Sequence, residues 1–334
     1  MSDGVHWLVP FAAGLTQAAQ AAAKTLCLPH LEKLLARMAP AGIDSGDEHT
    51  FSMPHERVLA RAHGVDPLDG RIPWAAWQLA RSGREPGSDA WAWLTPCHWD
   101  VHVDHVTMDV PEDLGLSAEE SRQMLAAMQP YFEQDGIVLE FDAPARWLAR
   151  GEPFRAIPTA SLDRVSGRAI DTWMPRADEA RVLRRLQQEM QMLLYTHPLN
   201  EERTQRGLAP VNSFWVSGAG AIDAGGGVSR ASLGDRSRRN AGAFAPHAVR
   251  VQLANALRAP ALHEDWTAWS AAWRELDTVE VPRLASLVDQ AGPIAITLCG
   301  ERRARTWTSE GAGWARRLAS LVRRERAPDL LEPL

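Results

Sequence analysis

The sequence predicts an α/β fold in which a central sheet is flanked by helices and interrupted by an inserted α+β domain. The chain opens with an apolar strand-like segment followed by helical patterns, and the same alternation returns near its C-terminal end. Between these regions, polar and apolar residues alternate as they do in antiparallel strands. With 334 residues, 45% of them hydrophobic, the chain can bury a core of this size. We assign residues 1–85 and 166–334 to the α/β core domain and residues 86–165 to the insertion.

The N-terminal region contains the first predicted strand and helices. Residues 5–14 form an apolar run that predicts a buried strand, and residues 17–23 and 28–38 have helical spacing that is interrupted at Pro29. Residues 41–50 are rich in Gly, Asp and Ser, so we predict a loop there. A further helix is predicted over residues 54–63, where Gly64 ends the pattern.

The middle region changes to the periodicity of strands. Residues 91–108 alternate between polar and apolar, which predicts a strand with one face of each kind. Ser117 and Glu120 have the spacing of a capping box, which predicts the start of a helix over residues 118–128. A strand is predicted over residues 137–141. The turn-rich residues 146–175 are predicted to connect the insertion back to the core.

The remaining elements return to the alternation of the core. The pattern predicts helices over residues 177–195, 264–274, 279–290 and 314–324, and strands over residues 212–216 and 294–298. Residues 217–240 are rich in Gly, Ser and Arg and are predicted to form a loop.

Composition excludes several functional classes. A net charge of -6 and a pI near 6.0 argue against nucleic acid or an anionic membrane as partner. The arginines within residues 230–239 lack interleaved aromatic residues, so we attribute them to a solvated loop. Cys27, Cys97 and Cys299 form no CxxC pair, and the N-terminal apolar run is too short to span a bilayer. We therefore expect a cytoplasmic protein in a reducing compartment, with no membrane or nucleic-acid partner.

A period-two series of polar residues is the best independent site candidate in the sequence. His98, Asp100, His102 and Asp104 alternate with apolar residues, and on a continuous strand their side chains share one face. Imidazoles and carboxylates together bind zinc and other divalent metals. The alternative is the solvated polar face of an antiparallel strand, with cross-strand pairs and no metal.

Three segments resemble one protein family. Residues 64–80 read GVDPLDGRIPWAAWQLA, residues 94–141 begin with LTPCHW, and residues 189–220 end with PVNSFWVSGAG. They are similar to the archaeal-type cofactor-independent phosphoglycerate mutases and, more closely, to a branch of RpfE-type regulatory proteins. The last segment is the most specific, because a helix ending in His-Pro-x-Asn and an arginine precede P-x-N-x-x-W-x-x-G-x-G. The resemblance extends over residues 5–220 and implies a core sheet of the alkaline-phosphatase type.

The resemblance implies a chemistry whose residues are incomplete in this chain. Family members use two divalent metals and a serine nucleophile to transfer a phosphoryl group, so the implied cofactor is Mn, Mg or Zn. The first metal aspartate of the family falls where residues 10–11 read PF, and a late Asp-His pair falls where residues 299–301 read CGE. The nucleophile position falls on His55 by direct counting and on Ser52 only after a shift of three residues.

A second set of residues is predicted to hold an anion. A Gly-rich turn after the strand over residues 212–216 exposes backbone N–H groups that favour phosphate, and an arginine upstream supplies charge. These residues are Arg203, Asn212, Ser213, Ser217, Gly218 and Gly220. The alternative is an ordinary strand-to-loop transition that follows a capped helix.

These observations lead to one hypothesis and one alternative. We predict a phosphoglycerate mutase-like protein that lacks the standard metal and nucleophile set and acts as a binding or regulatory protein, with a phosphorylated small molecule as ligand. The alternative is an active metal-dependent mutase or phosphatase that uses displaced ligands, such as His98 and His102 or the C-terminal acids Asp265, Asp277 and Asp289. The sequence leaves the oligomeric state open.

Overall fold

A computed structural model describes most of the chain. The described residues are 4–176, 178–222, 249–290, 293–310 and 325–334. The predicted helix over residues 314–324 lies outside them, as do residues 223–240 of the predicted Gly/Ser/Arg loop.

The chain divides into two compact units. Unit 1 comprises residues 1–48, 53–64 and 233–334, and unit 2 comprises residues 49–52 and 65–232. Unit 2 contains the predicted insertion together with residues 65–85 and 166–232, which were predicted to belong to the core domain. The predicted domain boundaries stay a prediction.

The strands of the described residues are, in chain order, β1 (Gly4–Val9), β2 (Ala39–Ser45), β3 (Trp91–Cys97), β4 (Trp99–Val101), β5 (Val106–Met108), β6 (Val138–Ala143), β7 (Arg146–Arg150), β8 (Arg168–Ala169), β9 (Ser213–Gly220), β10 (Val249–Leu253), β11 (Ile294–Cys299) and β12 (Arg303–Thr308).

The α-helices of the described residues are α1 (Gln17–Lys24), α2 (Pro29–Ala36), α3 (Pro54–Ala62), α4 (Trp74–Arg81), α5 (Ala118–Glu133), α6 (Leu162–Val165), α7 (Arg181–Tyr195), α8 (Pro198–Gln205), α9 (Arg258–Leu262), α10 (Trp266–Glu275), α11 (Val281–Asp289) and α12 (Ala327–Leu331). A π-helical turn, Leu276–Glu280, joins α10 to α11. Among these helices, none is both long and apolar enough to cross a membrane.

Unit 1 is built on a sheet of five described strands in the order β10-β1-β11-β12-β2. β1 is parallel to both β10 and β11, whereas β12 is antiparallel to β11 and β2. β1 and β11 are almost entirely buried, which explains why both are apolar runs in the sequence. α3 packs against β1 and β10, and α11 packs against β11. The predicted α/β class, with a central sheet flanked by helices, is confirmed.

The helices of unit 1 begin where local chemistry supplies a cap. The hydroxyl of Thr16 accepts the Ala19 amide at 3.2 Å and starts α1. Pro29, predicted to interrupt a helix, instead occupies the first position of α2, where its missing N–H costs nothing. Because Leu28 offers α2 no side-chain cap, the buried carboxylate of Asp277 accepts the Leu31 amide at 2.7 Å. The π-helical turn thus carries a cap for α2.

Unit 2 contains two antiparallel sheets, in the strand orders β6-β7-β3-β9 and β4-β5-β8. One face of the larger sheet packs against α5 and α7 around a core of large side chains, among them Phe132, Trp147, Leu186, Met190 and Phe214. The indole of the fully buried Trp147 donates to the Ser121 hydroxyl at 2.8 Å, so this core leaves its polar nitrogen satisfied. The predicted capping box of α5 is confirmed, and the helix continues past the predicted end to Glu133.

Several elements differ from the sequence prediction. β2 begins just before the predicted loop over residues 41–50 and occupies its first half. β7 lies in the region that was predicted to be a connection. The loop predicted from residue 217 is wrong in its first residues, which form the second half of β9. β12 and α4 were not predicted at all. β2 is an edge strand with a mostly exposed surface and contains Pro40 and Gly42, so its strand conformation depends on pairing with β12 rather than on its composition.

Candidate functional site

The carboxyl ends of β1 and β11 form the edge of the unit 1 sheet at which an α/β fold usually places its functional residues. The loop after β1 is held there by backbone and indole contacts. The Phe11 carbonyl accepts the Trp269 indole N–H at 2.9 Å, and the Ala12 carbonyl accepts the Trp273 indole N–H at 3.2 Å. The Ala12 amide donates to the Cys299 carbonyl at 2.7 Å. This strand end is therefore filled by apolar and aromatic groups.

Phe11 adopts a backbone conformation that side chains rarely take. Its φ is 55°, in the left-handed region, although it is neither Gly nor Asn. The ring is 2% exposed, and its centroid lies 5.6 Å from that of His55, the buried residue near the start of α3. Strain of this kind persists only where the surroundings fix it, and here the indole bond of Trp269 does so. His55, one of the two predicted catalytic residues, thus packs against a phenyl ring in unit 1.

The residues after β11 are also engaged with the protein. Cys299 is fully buried, and burial raises the pKa of its thiol well above the ordinary value. The carboxylate of Glu301 is mostly buried and accepts the Leu15 amide at 3.1 Å, so it fastens the loop that precedes α1. Among the described residues, no three His, Cys, Asp or Glu side chains are grouped so that they could hold a metal ion.

Ser52, the other predicted catalytic residue, lies in unit 2. Its hydroxyl accepts the Gly70 amide at 2.9 Å, and its own amide donates to the Asp69 carboxylate at 2.9 Å. The side chain is 3% exposed. Its hydroxyl thus closes a local contact between two loops, and a nucleophilic role for Ser52 stays a prediction.

The predicted polar face over residues 98–104 does not form, because the strand is broken there. β3 ends at Cys97, β4 covers only three residues, and a turn follows before β5. His98 Nδ1 lies 2.7 Å from the Pro210 carbonyl, whereas His102 Nε2 lies 3.6 Å from Asp100 Oδ2. Asp104 instead contacts His105. The prediction of one continuous strand is wrong, and metal binding by His98, Asp100, His102 and Asp104 stays a prediction.

Arg203 lies in the interior of unit 2, where all three of its guanidinium nitrogens donate to the protein. Nε donates to the Ala209 carbonyl at 3.0 Å, Nη2 to the Leu114 carbonyl at 2.6 Å, and Nη1 to the Glu120 carboxylate at 3.2 Å. The side chain is 0% exposed. Arg203 is therefore an internal anchor, and an anion would have to displace these bonds to reach it.

Glu120 connects the start of α5 to α8. Its carboxylate accepts the Ser117 amide at 2.8 Å in the capping box and also accepts Nη1 of the exposed Arg206 at 3.1 Å. Burial alone would raise the pKa of Glu120, but the bonds with Ser117 and the charges of Arg203 and Arg206 outweigh it and hold the pKa below its ordinary value. Glu120 was recognised in the sequence as the capping-box glutamate, but its pairing with Arg203 was not predicted.

Two asparagines clamp the backbone beside β9. Asn212 Oδ1 accepts the Trp99 amide at 2.7 Å, and its Nδ2 donates to the Trp99 carbonyl at 2.8 Å. In the same way, Asn200 Oδ1 accepts the Val211 amide at 2.9 Å, and its Nδ2 donates to the Val211 carbonyl at 2.6 Å. Asn200 was not among the predicted site residues, although it stands in the His-Pro-x-Asn motif. The oxygen and the nitrogen of both side-chain amides thus bond to backbone groups.

The other residues predicted to hold an anion belong to β9. Ser217 pairs with Trp93 across the sheet, and Ser213 and Ser217 are buried. Gly218 has a φ of 61°, and a Cβ there would lie 3.1 Å from the Trp93 ring, so only glycine fits. Gly220 ends the strand. The predicted Gly-rich turn is wrong, because Ser217, Gly218 and Gly220 belong to β9. Anion binding by these residues stays a prediction, but the turn no longer supports it.

Comparison with known proteins gives a local sequence likeness and two remote structural ones. No family model matches the chain. Over 56 residues the chain is 36% identical to a 2,3-bisphosphoglycerate-independent phosphoglycerate mutase of Methanothrix thermoacetophila, a stretch that covers 17% of this chain and 14% of that relative. The chain thus spans a small part of the curated relative it matches.

The structural similarities extend over more of the chain. A cofactor-independent phosphoglycerate mutase from Thermoplasma acidophilum is 13% identical, with a TM-score of 0.37 and 99% of each chain covered. The PH0037 protein from Pyrococcus horikoshii is 12% identical, with a TM-score of 0.46, 92% of this chain covered and 88% of the other.

Proposed function

We propose that this chain is a phosphoglycerate mutase-like protein that does not catalyse the mutase reaction and serves as a binding or regulatory protein in a reducing, cytoplasmic setting. Within the family resemblance, this corresponds to the RpfE-type regulatory branch. The ligand proposed for it is a phosphorylated small molecule.

The composition of the strand end after β1 carries this proposal. A phosphoryl-transfer site of the implied kind needs carboxylates and imidazoles at the strand ends to hold two metals. Phe11 stands there instead, with two buried indoles bonded to the loop backbone. His55 packs against the Phe11 ring, and Glu301 is bonded to a backbone amide. This arrangement favours a protein that keeps the scaffold without the metal-nucleophile chemistry.

The ancestry part of the proposal is supported by sequence likeness. The segment PVNSFWVSGAG and the preceding His-Pro-x-Asn motif resemble the mutase family, and a 56-residue stretch is 36% identical to a curated mutase. In this chain Asn200, Arg203 and Asn212 donate to backbone carbonyls. They support a shared scaffold, whereas mutase activity is a property of that relative.

An activity assay on the full chain tests the proposal. The protein is incubated with 3-phosphoglycerate and Mn²⁺, and 2-phosphoglycerate and released phosphate are measured. We expect neither above the protein-free control. Formation of 2-phosphoglycerate that a chelator abolishes would overturn the proposal in favour of the alternative, an active enzyme with displaced ligands. In that case the His98→Asn/His102→Asn double variant would show whether those imidazoles are the ligands.

A binding assay separates the regulatory role from an inert scaffold. A ligand that binds only the folded protein raises its melting temperature by mass action. We expect 3-phosphoglycerate to raise the Tm and glycerate, which lacks the phosphate, to leave it unchanged. Equal effects of the two compounds, or no effect of either, would contradict a phosphorylated ligand of this class.

A further inference from the structure

A pair of side chains in unit 1 joins an imidazole at the surface to a carboxylate in the interior. His30 is the second residue of α2, and Asp277 lies in the π-helical turn between α10 and α11. His30 Nδ1 lies 3.0 Å from Asp277 Oδ2. The side chain of His30 is 50% exposed and that of Asp277 only 3%. The imidazole is therefore accessible to small molecules, whereas the carboxylate behind it is not.

The carboxylate of Asp277 is also held by bonds that do not involve the imidazole. Oδ1 accepts the Leu31 amide at 2.7 Å, and Oδ2 accepts the His30 amide at 3.3 Å. The position of the carboxylate thus does not depend on the ring. An ionised carboxylate only accepts hydrogen bonds, so His30 Nδ1 carries the proton that faces it. The lone pair of the neutral ring is then on Nε2, which makes no hydrogen bond within the described part of the chain.

This tautomer is the one that a nucleophilic histidine needs. Nε2 supplies the reacting lone pair, while the carboxylate at Nδ1 orients the ring and offsets the positive charge that the ring acquires. A buried carboxylate does so more strongly than an exposed one, because water screens its charge less. His105 shows the contrast, since its Nδ1 lies 2.6 Å from Asp104, whose side chain is 84% exposed. His30 has the buried partner.

We propose that His30 is a phosphoryl-acceptor histidine that reacts with small acyl phosphates through Nε2, with Asp277 as its positioning residue. The Nε2 lone pair forms the N–P bond while the P–O bond to the acyl group breaks, and a carboxylate leaves with that electron pair. The Nδ1 proton stays on the ring, so the product is an imidazolium beside Asp277. Lys33 is exposed and lies three residues along α2, on the same side of the helix, where its charge attracts the anionic donor.

This reaction goes beyond the mutase-like proposal. It needs no metal, and neither His30 nor Asp277 belongs to the motifs that carry the family resemblance. A phosphoryl group on a surface histidine adds negative charge at one defined position, which is a covalent input of the kind that regulates proteins. The two proposals can therefore fail separately.

Incubation of the full chain with acetyl phosphate, without added metal, tests the proposal. We expect a phosphoryl group that is stable in alkali and lost in acid, and peptide mass spectrometry at alkaline pH should locate it on His30. His30→Asn should abolish it. Asp277→Asn should slow it about tenfold or more, because an amide N–H facing Nδ1 moves the ring proton to Nε2. His105→Asn is the matched control, because it removes the imidazole with an exposed partner, and it should leave the rate unchanged.

The tautomer of His30 is measured in the parent protein, so the test does not depend on how well Asp277→Asn folds. In ¹⁵N NMR spectra of the imidazoles, we expect the proton of neutral His30 on Nδ1. A proton on Nε2 in the parent protein would overturn the proposal. So would labelling of another histidine as fast as His30, an acetyl group on His30 in place of the phosphoryl group, or no labelling at all.

Discussion

The interior of unit 2 and the strand end of unit 1 solve the problem of buried polar groups in opposite ways. In unit 2, a charged pair, Glu120 and Arg203, and two asparagines bond to backbone groups around β9. At the strand end of unit 1, Phe11 and two tryptophans fill the space, and the indole N–H groups satisfy the carbonyls. The first region is held by charge and amides, and the second by aromatic packing.

This difference shows how the residues that carry a sequence resemblance can be kept while those at a strand end change. Several residues carry the resemblance, among them Asn200, Arg203 and Asn212. Their side chains bond to backbone groups, and a substitution would remove those hydrogen bonds. The strand end carries no comparable polar framework in its described contacts, so an aromatic residue is accommodated there. A motif can therefore report a scaffold without reporting a reaction.

Removing Arg203 should have the largest effect. Arg203→Ala leaves the Glu120 carboxylate and two carbonyls without their buried donor, so we expect the free energy of unfolding to fall by about 3–5 kcal/mol. Urea denaturation measures it. The control is Arg206→Ala, because Arg206 contacts the same carboxylate oxygen but its side chain is 58% exposed. That change should cost about 1 kcal/mol or less. Equal losses would show that charge does not hold the interior of unit 2.

Acidification should distinguish the two units. In unit 1, His6 is buried and contacts the Thr297 hydroxyl at 2.8 Å, and burial lowers the pKa of His6 from 6.5 to about 4. The folded state favours neutral His6. The contribution of His6 to the free energy of unfolding is therefore complete above pH 6.5 and is lost as the pH falls toward 4. The shift in pKa corresponds to a loss of roughly 3 kcal/mol in the free energy of unfolding.

The lowered pKa of Glu120 acts in a different window. The stabilisation that ionised Glu120 gives the fold is present above the ordinary pKa of 4.5 and is lost only below that value. Stability measured by urea between pH 7 and pH 3 should therefore fall first through His6. In His6→Asn, the decline between pH 6.5 and pH 4 should be reduced while the lower decline remains. An unchanged upper decline would rule out His6 as its source.

The smallest effect tests the indole bond at the strand end. Trp269→Phe removes the donor to the Phe11 carbonyl and should cost about 1 kcal/mol more than a control that loses only ring area. Trp266→Phe is that control, because within the described residues the Trp266 indole nitrogen has no hydrogen-bond partner. Thermal unfolding of both variants measures the difference. Identical losses would mean that packing alone fixes Phe11.

The sequence predicted the elements whose own residues determine them. The capping box set the start of α5, and apolar runs marked β1 and β11. β2 and β12 escaped prediction because their pairing with each other, rather than local composition, makes them strands. β9 was predicted to end too early, because glycines usually end strands. Gly218 is instead required within this strand by the close approach of Trp93.

The candidate site could be predicted only in part, for a similar reason. The departure at Pro10 and Phe11 was visible in the sequence, but the indole bonds from a helix more than 250 residues away were not. The histidine series was recognised as polar, yet its grouping depends on a turn that no alternation pattern reveals. The partner of Arg203 was hidden by the separation of 83 residues between the pair.

The cysteines give each unit its own chemical reporter. Cys97 lies in unit 2 and Cys299 in unit 1; both are fully buried, and burial raises the pKa of each thiol. Cys27 is exposed. A thiol reagent should therefore modify the native protein at Cys27 alone, and the rates at which the other two sites become alkylated would time the opening of each unit separately.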